Sequence, residues 1–248
     1  MSDQNNNVVR IPYAHLSCKT CAIRDACPSC NATQTKPSAS VSAYSRTFSR
    51  GDHLFRQGDV LKNLYVVRSG SLKSYLTGSD GEEYVIKFYL PGELVGLDAL
   101  AENRHESSAQ VLETTSLCRV ATESADGYSR PDAVIDRQLL KLASREMLNE
   151  HERALLVAQH DAGERIAQFL LQLSDRYAAR GFSGREFNLP MSRHDIASYL
   201  ALAVETVSRE FTRLQNLGLI SVDRRHIQLL SPDGMMALRH PPQKRVAH

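Results

Sequence analysis

No run of this 248-residue chain approaches the eighteen consecutive apolar residues of a membrane span. The opening residues, MSDQNNNVVR, are polar, carry Asp3 and lack the apolar stretch of a signal peptide. Together these absences set the expectation of a soluble, cytoplasmic protein with no membrane partner. Charge of one sign is also lacking: 30 basic residues face 28 acidic ones, so no polybasic character advertises a partner. Nucleophile elbow, phosphate loop, HExxH and paired catalytic carboxylates are missing in any recognisable context, which argues against an enzyme. What is present suffices for real cores, with 42% apolar and 23% charged residues over a length expected of one to two domains. From Ile166 onward, eleven basic residues face seven acidic ones, a mild tilt toward an anionic partner.

Five cysteines are present, and four fall within thirteen residues: Cys18, Cys21, Cys27 and Cys30. The fifth, Cys118, is remote. An odd count without a signal peptide argues against a disulfide framework, so the packed thiols read as metal ligands or a redox site. Zinc would use two C-x2-C knuckles, although the five residues between them make a cramped loop. An iron–sulfur cluster takes four thiolates, often three clustered and one remote. Spacing alone leaves the two metals open, with unengaged thiols as the plainer alternative.

The chain changes texture along its length. Residues 1–17 are polar, 18–30 form the cysteine loop, and 31–40 (NATQTKPSAS) read as a connector. From Ser45 to Thr122, short apolar runs are broken by glycines at roughly ten-residue spacing, which predicts a small antiparallel sandwich or barrel. Asp80-Gly81 marks a hairpin turn. From Pro131 the pattern turns helical for some thirty residues, with Leu140, Ala143, Met147, Ala154 and Val157 in steps that make a heptad seam. Glu150 interrupts that seam. The stripe suits either packing on its own domain or a dimer helix, and the dimer reading is preferred because the run is long and lies between two domains. A further helix is expected over Arg165–Arg180 and a short segment over Phe187–Met191.

Ser192 and Asp195 form a capping-box start to a short helix bearing Ile196, Leu200 and Leu202. After a turn near Leu202–Ala203, a second helix spans Val204–Leu217, with Val207, Phe211 and Leu214 on one face and Gly218 as its stop. Leu219–Val222 and Ile227–Leu230 flank the basic turn Asp223-Arg224-Arg225-His226. The whole is a winged helix-turn-helix, whose second helix enters the major groove. Glu205, Thr206, Ser208 and Arg209 are expected at its exposed N-terminal end. Arginine bonds guanine bidentately and glutamate accepts from cytosine N4, while an ordinary Glu205–Arg209 surface pair is the plainer account. Arg213, Arg224 and Arg225 are candidates for phosphate contacts.

In combination these parts resemble the CRP/FNR family of bacterial transcription regulators, specifically its oxygen-sensing FNR branch. The segments HLSCKTCAIRDAC, GDHLFRQGDVLKNLYVVRSGSLKSY, PGELVGLDAL, ETTSLCRV, RGFSGREFNLPMSRHDIASYLAL and VETVSR carry the likeness over nearly the whole chain. The resemblance implies an α+β architecture: a cluster-binding segment over 1–36, an antiparallel β-roll sensor of the cyclic-nucleotide-binding type over 37–130, a dimerisation helix over 131–164 and a winged helix-turn-helix over 165–248. It implies an oxygen-labile [4Fe–4S] cluster held by Cys18, Cys21, Cys27 and Cys118. Cys30 has no place in that pattern, and a buried strand cysteine is the plainer account of Cys118. A structural zinc or thiol-redox switch is the alternative. The cyclic-nucleotide branch pairs Gly-Glu with Arg-Ser in its phosphate cassette; here Gly96-Leu97 and Ser107-Ser108 lack both charged groups, so no cyclic nucleotide is expected. The resemblance further implies that Glu205, Ser208 and Arg209 read a palindrome with TTGAT-type half-sites in double-stranded DNA. Ala203 departs from the threonine expected there, which removes a cap or phosphate contact.

The family likeness gives Glu150 a role as well. Two symmetric copies would bring like charges together across a homodimer interface, opposing association until a bound cluster reorganises the helix. A solvent-facing Glu150 is the alternative. The loop Thr77–Gly81 resembles a surface that contacts RNA polymerase in this family, and a bare hairpin turn accounts for it equally.

Overall fold

A computed structural model describes residues 21–22, 41–121, 133–159 and 161–239. Pro131, Cys18, Cys27 and Cys30 lie outside the described residues. Eight strands make two four-stranded antiparallel sheets. The first holds β1 (Val41–Phe48), β8 (Thr115–Ala121), β3 (Asn63–Ser69) and β6 (Leu94–Val95), in that order. The second holds β2 (His53–Phe55), β7 (Ser108–Val111), β4 (Leu72–Thr77) and β5 (Glu83–Tyr89). Phe55, Val67, Leu72, Val95, Val111 and Leu117 fill the space between the sheets. The period of two sorts β3 between two cores: Val67 points into the sandwich, while Leu64 and Val66 face outward to a second, smaller cluster. Gly81 takes a left-handed φ of 82° in the turn joining β4 to β5, where the Asp80-Gly81 signal places it.

Helix α1 (Ala133–Gln159) is followed directly by α2 (Ala162–Ala178). The second helix starts earlier than the expected Arg165. Asp161 caps it: its side chain accepts from the Glu164 N–H, and Glu164 reaches back to the Asp161 N–H. Beyond it come β9 (Glu186–Asn188), α3 (Arg193–Leu200), α4 (Val204–Asn216), β10 (Ile220–Asp223), β11 (His226–Leu229) and α5 (Pro232–Arg239). Strands β10, β11 and β9 form the antiparallel wing. Ile196, Leu200, Val207, Phe211 and Leu214 are buried, as the apolar spacing predicts.

The larger core does not stop at the edge of the helical region. Tyr75, Val85 and Phe88 of the second sheet belong to the same buried cluster as Ile166, Phe169, Ile196 and Phe211. Polar links tie the same seam. Lys73 Nζ lies 2.8 Å from Asp195 and 2.7 Å from Glu83. Burial works against both charges of the Lys73–Asp195 pair. Their mutual bonds outweigh it, raising the lysine pKa and lowering the aspartate pKa. Ser198 Oγ accepts from the Val85 N–H and donates to the Glu83 carbonyl. Glu93 accepts from Arg176 and Arg180. Burial would raise the Glu93 pKa, but the two guanidiniums hold it below the ordinary range. The stability it contributes is therefore complete above the ordinary glutamate pKa and is lost as pH falls through the depressed value.

Among the described residues, three that are not glycine take a left-handed φ: Asn103, Ala201 and Arg224. Ala201 closes α3 at φ 52°, ψ 52°, a left-handed conformation unfavourable to a residue with a Cβ. Ala201→Gly is expected to raise stability by about 0.5–1 kcal/mol in urea unfolding, since glycine's larger unfolded-state entropy offsets part of the relief. A loss of stability would contradict the strain. Lys73→Met leaves Asp195 charged and buried without its partner, and should cost about 3 kcal/mol in the same measurement. A change below about 0.5 kcal/mol would show that water already solvates that carboxylate.

Candidate nucleic-acid interface and thiol site

The capping box of α3 sets the geometry of the helix pair. Ser192 and Asp195 bond reciprocally, and the same Asp195 carboxylate is anchored by Lys73 of the sandwich. Helix α4 begins at Ala203, which is extended and offers no side-chain cap, so the first N–H groups of α4 lack a capping side chain. That end carries the positive pole of the helix, suited to an anion. Glu205, Ser208 and Arg209 are exposed there. Thr206 is half-buried, and its hydroxyl accepts from Arg209 Nη2 at 3.1 Å. Arg209 thus leans on Thr206 rather than on Glu205, which leaves the expected alternative of a Glu205–Arg209 pair unrealised. Ser208 donates its hydroxyl to the Val204 carbonyl. Arg213 turns away to Glu210 at 2.9 Å. Arg224 and Arg225 form the exposed tip of the wing, with Arg224 at φ 55°.

One cation escaped the sequence reading. Arg193 opens α3 with its guanidinium 3.5 Å from the centre of the Phe211 ring. Burial lowers its pKa, and among the described residues no carboxylate pairs with it. It is a fixed positive charge beside the N-terminal turn of the helix-turn-helix. The signal available was its position just after an N-cap in the first helix of the motif.

Cys21 and Cys118 are the two expected thiols within the described residues. Cys118 stands opposite Val66 across the β8–β3 ladder. Its alternating partner Leu117 faces the sandwich, so Cys118 faces outward. Both cysteines border the small cluster of Leu64, Val66, Leu94 and Val120, and Leu139 and Leu142 of α1 close it. The Ala22 N–H donates to the Gly92 carbonyl at 2.8 Å, which fixes the chain beside Cys21 against the sandwich. Cys21 also lines a cleft of about 680 Å³ that reaches Glu93, Glu146 and Glu150. Among the described residues, no group of three or more Cys, His, Asp or Glu converges on one point.

Along α1, the seam residues Leu140, Ala143, Met147, Glu150 and Ala154 are exposed, and Val157 is half-buried. Leu140 is 72% and Met147 63% exposed. Leu148 and Leu155 are exposed too, a second apolar column beside the expected seam. Glu150 Oε2 accepts from Arg153 Nη2 at 2.7 Å.

The Crp-like helix-turn-helix domain family matches residues 164–238, and the cyclic nucleotide-binding domain family matches residues 45–127. The transcriptional activator protein anr of Pseudomonas aeruginosa is 42% identical over 230 residues, covering 92% of this chain and 93% of that protein. The fumarate and nitrate reduction regulatory protein of Salmonella typhi is 37% identical, with 90% of each chain covered.

The chain belongs to the CRP/FNR family.

FixK2 from Bradyrhizobium japonicum shares the architecture at a TM-score of 0.72 and 29% identity, covering 79% of this chain and 97% of its own. As a CRP/FNR regulator the chain is α+β, carries a DNA-binding helix-turn-helix and is no enzyme, since its homologues are regulators. Among the described residues, no helix is long and apolar enough to cross a membrane.

Two arginines of this regulator separate by their readouts. Arg209→Ala is expected to cost about 1–3 kcal/mol on a specific duplex and to relax sequence preference at one base pair. Arg193→Gln should weaken all duplexes alike and reduce the salt slope by about one. Titrations of both variants at several salt concentrations check this. Loss of sequence preference on removing Arg193 would contradict the assignment.

Proposed function

We propose that this CRP/FNR regulator is an oxygen-responsive transcription activator that dimerises and binds palindromic TTGAT-type sites when a [4Fe–4S] cluster is present. The observation that carries the reading is the meeting of Cys21, Cys118, Leu139 and Leu142 at one small cluster. Those cysteines would hold such a group, and the leucines beside them belong to the same helix that bears the exposed seam.

The residues fit such a group as far as they are described. Two half-buried thiols stand at one apolar site, and thiolates are the ligands iron–sulfur clusters take. Cys18, Cys21, Cys27 and Cys118 would hold it. When bound, a [4Fe–4S] cluster supplies the reactivity toward oxygen. The chain's own residues do the rest. Leu139 and Leu142 set the pose of α1 against the sandwich. Leu140, Ala143, Met147, Ala154 and Val157, with Leu148 and Leu155, offer apolar surface to a second copy. Glu150 opposes that association by facing its symmetry mate. Paired copies present two α4 helices to successive major grooves, where Glu205, Ser208 and Arg209 read bases and Arg193, Arg224 and Arg225 hold phosphates.

A cyclic nucleotide is not the effector in this account. At the corresponding cassette, the Asp98 carboxylate accepts from the Ser107 N–H at 3.0 Å and the Ser107 hydroxyl at 2.8 Å. Burial opposes that charge, but His105 and Ser107 hold the Asp98 pKa low. An incoming phosphate would meet a carboxylate there rather than an arginine. The Thr77–Gly81 loop, held by Asp80 bonds to Tyr84 and the Glu82 N–H, is an ordered surface for RNA polymerase.

Protein purified without oxygen should carry about four irons and four sulfides per chain, with a visible absorption band that air bleaches. Sizing of the same samples should show a dimer giving way to a monomer. Cys118→Ser should fail to retain iron, and Glu150→Ala should remain a dimer in air. Stoichiometric zinc, or an iron-free dimer indifferent to air, would contradict the reading.

A further inference from the structure

Glu150 does not stand alone on its helix. Arg153, one turn on, donates Nη2 at 2.7 Å and Nε at 3.0 Å to the same Glu150 Oε2. The guanidinium is itself held in place. It lies 5.4 Å from the centre of the Tyr199 ring, on α3 of the helix-turn-helix. Tyr199 is wedged in turn between Phe88 of β5, at 5.2 Å, and Phe169 of α2, at 5.8 Å. The Arg153 side chain is 26% exposed and that of Glu150 46%, so the pair sits at the surface with its cationic end tucked inward.

The geometry points to Arg153 as a positioning residue that sets the strength of the Glu150 repulsion. Two N–H bonds draw the carboxylate along its own helix and toward a cation that does not project from the seam. The field one Glu150 presents to its symmetry mate falls accordingly. Because Tyr199 belongs to the DNA-binding motif, the pose of that motif determines whether the guanidinium stays where it can hold Glu150. A helix-turn-helix seated against β5 favours the paired, dimer-permissive seam, and one that swings away releases Arg153 and exposes the charge. The coupling follows from one side chain touching the seam residue and the DNA-reading module at once. Glu146, Glu152 and Asp175 line the same cleft as Glu150.

This inference rests on the reading that Glu150 faces a partner copy, and a double-mutant cycle separates the two. The dimer dissociation constant of the full chain, handled without oxygen, is measured for wild type, Arg153→Gln, Glu150→Ala and the double variant. Arg153→Gln should weaken the dimer about tenfold, since each dimer contains two copies of the pair. In the Glu150→Ala background the same change should produce no weakening. Arg153→Lys, which keeps the charge and one bond, should recover most of the loss, and added salt should shrink the difference. Equal weakening in both backgrounds would make Arg153 a merely structural contact and overturn the inference alone, as would an Arg153→Gln dimer like wild type. A Glu150→Ala dimer no tighter than wild type would overturn both. Thermal melting of each variant confirms that the fold survives the substitutions.

Discussion

The regulator turns on the packing of Tyr199. Its ring lies among Phe88 of the sandwich, Phe169 of α2 and the guanidinium of Arg153 on α1, so four elements meet at one side chain. An aromatic cluster of this kind buries a large apolar area with few rotamers to freeze. Around it, Lys73–Asp195, Ser198 and the Glu93 carboxylate supply directional bonds that fix the angle at which the helices sit. The apolar cluster supplies attraction without direction, and the polar links supply direction with modest net energy. Together they tie the helix-turn-helix to the sandwich as one continuous core.

That continuity shapes how signal and response connect. The thiol site lies at the N-terminal half of α1, against Leu139 and Leu142, while Arg153 and Leu156 lie near its other end beside the DNA-reading module. A 27-residue helix spans about 40 Å and joins the two. Its exposed face in between is the surface a second copy would cover.

Much of the local structure was legible because local chemistry sets it. Ser192 and Asp195 announced a cap and form one. Val207, Phe211 and Leu214 announced a face and are buried. The glycine rhythm announced a sandwich with its hairpin at Asp80-Gly81. Helix α2 starts ahead of the expected Arg165 because Asp161, paired with Glu164, caps it. Other features left no local trace. Lys73 and Asp195 stand 122 positions apart, and Glu93 and Arg176 stand 83 apart, so no periodicity could pair them. Nothing local marks Arg193, because its environment is set by Phe211 of the next helix. Leu148 and Leu155 lie off the single heptad column that Leu140, Met147 and Ala154 define. The thiols were partly legible: spacing gathered Cys18, Cys21, Cys27 and Cys30, but only strand register explains why Cys118 faces the same cluster as Cys21.

The central claim is that the cysteines at the base of α1 govern DNA binding through the dimer. Its most direct test is affinity for a palindromic TTGAT duplex, measured on one preparation before and after exposure to air, alongside Cys118→Ser. The account predicts tight, sequence-selective binding without oxygen and a fall of roughly 10³-fold, toward the non-specific level, after air. Cys118→Ser should show the weak affinity from the outset. Equal, sequence-selective binding in all three samples would contradict it.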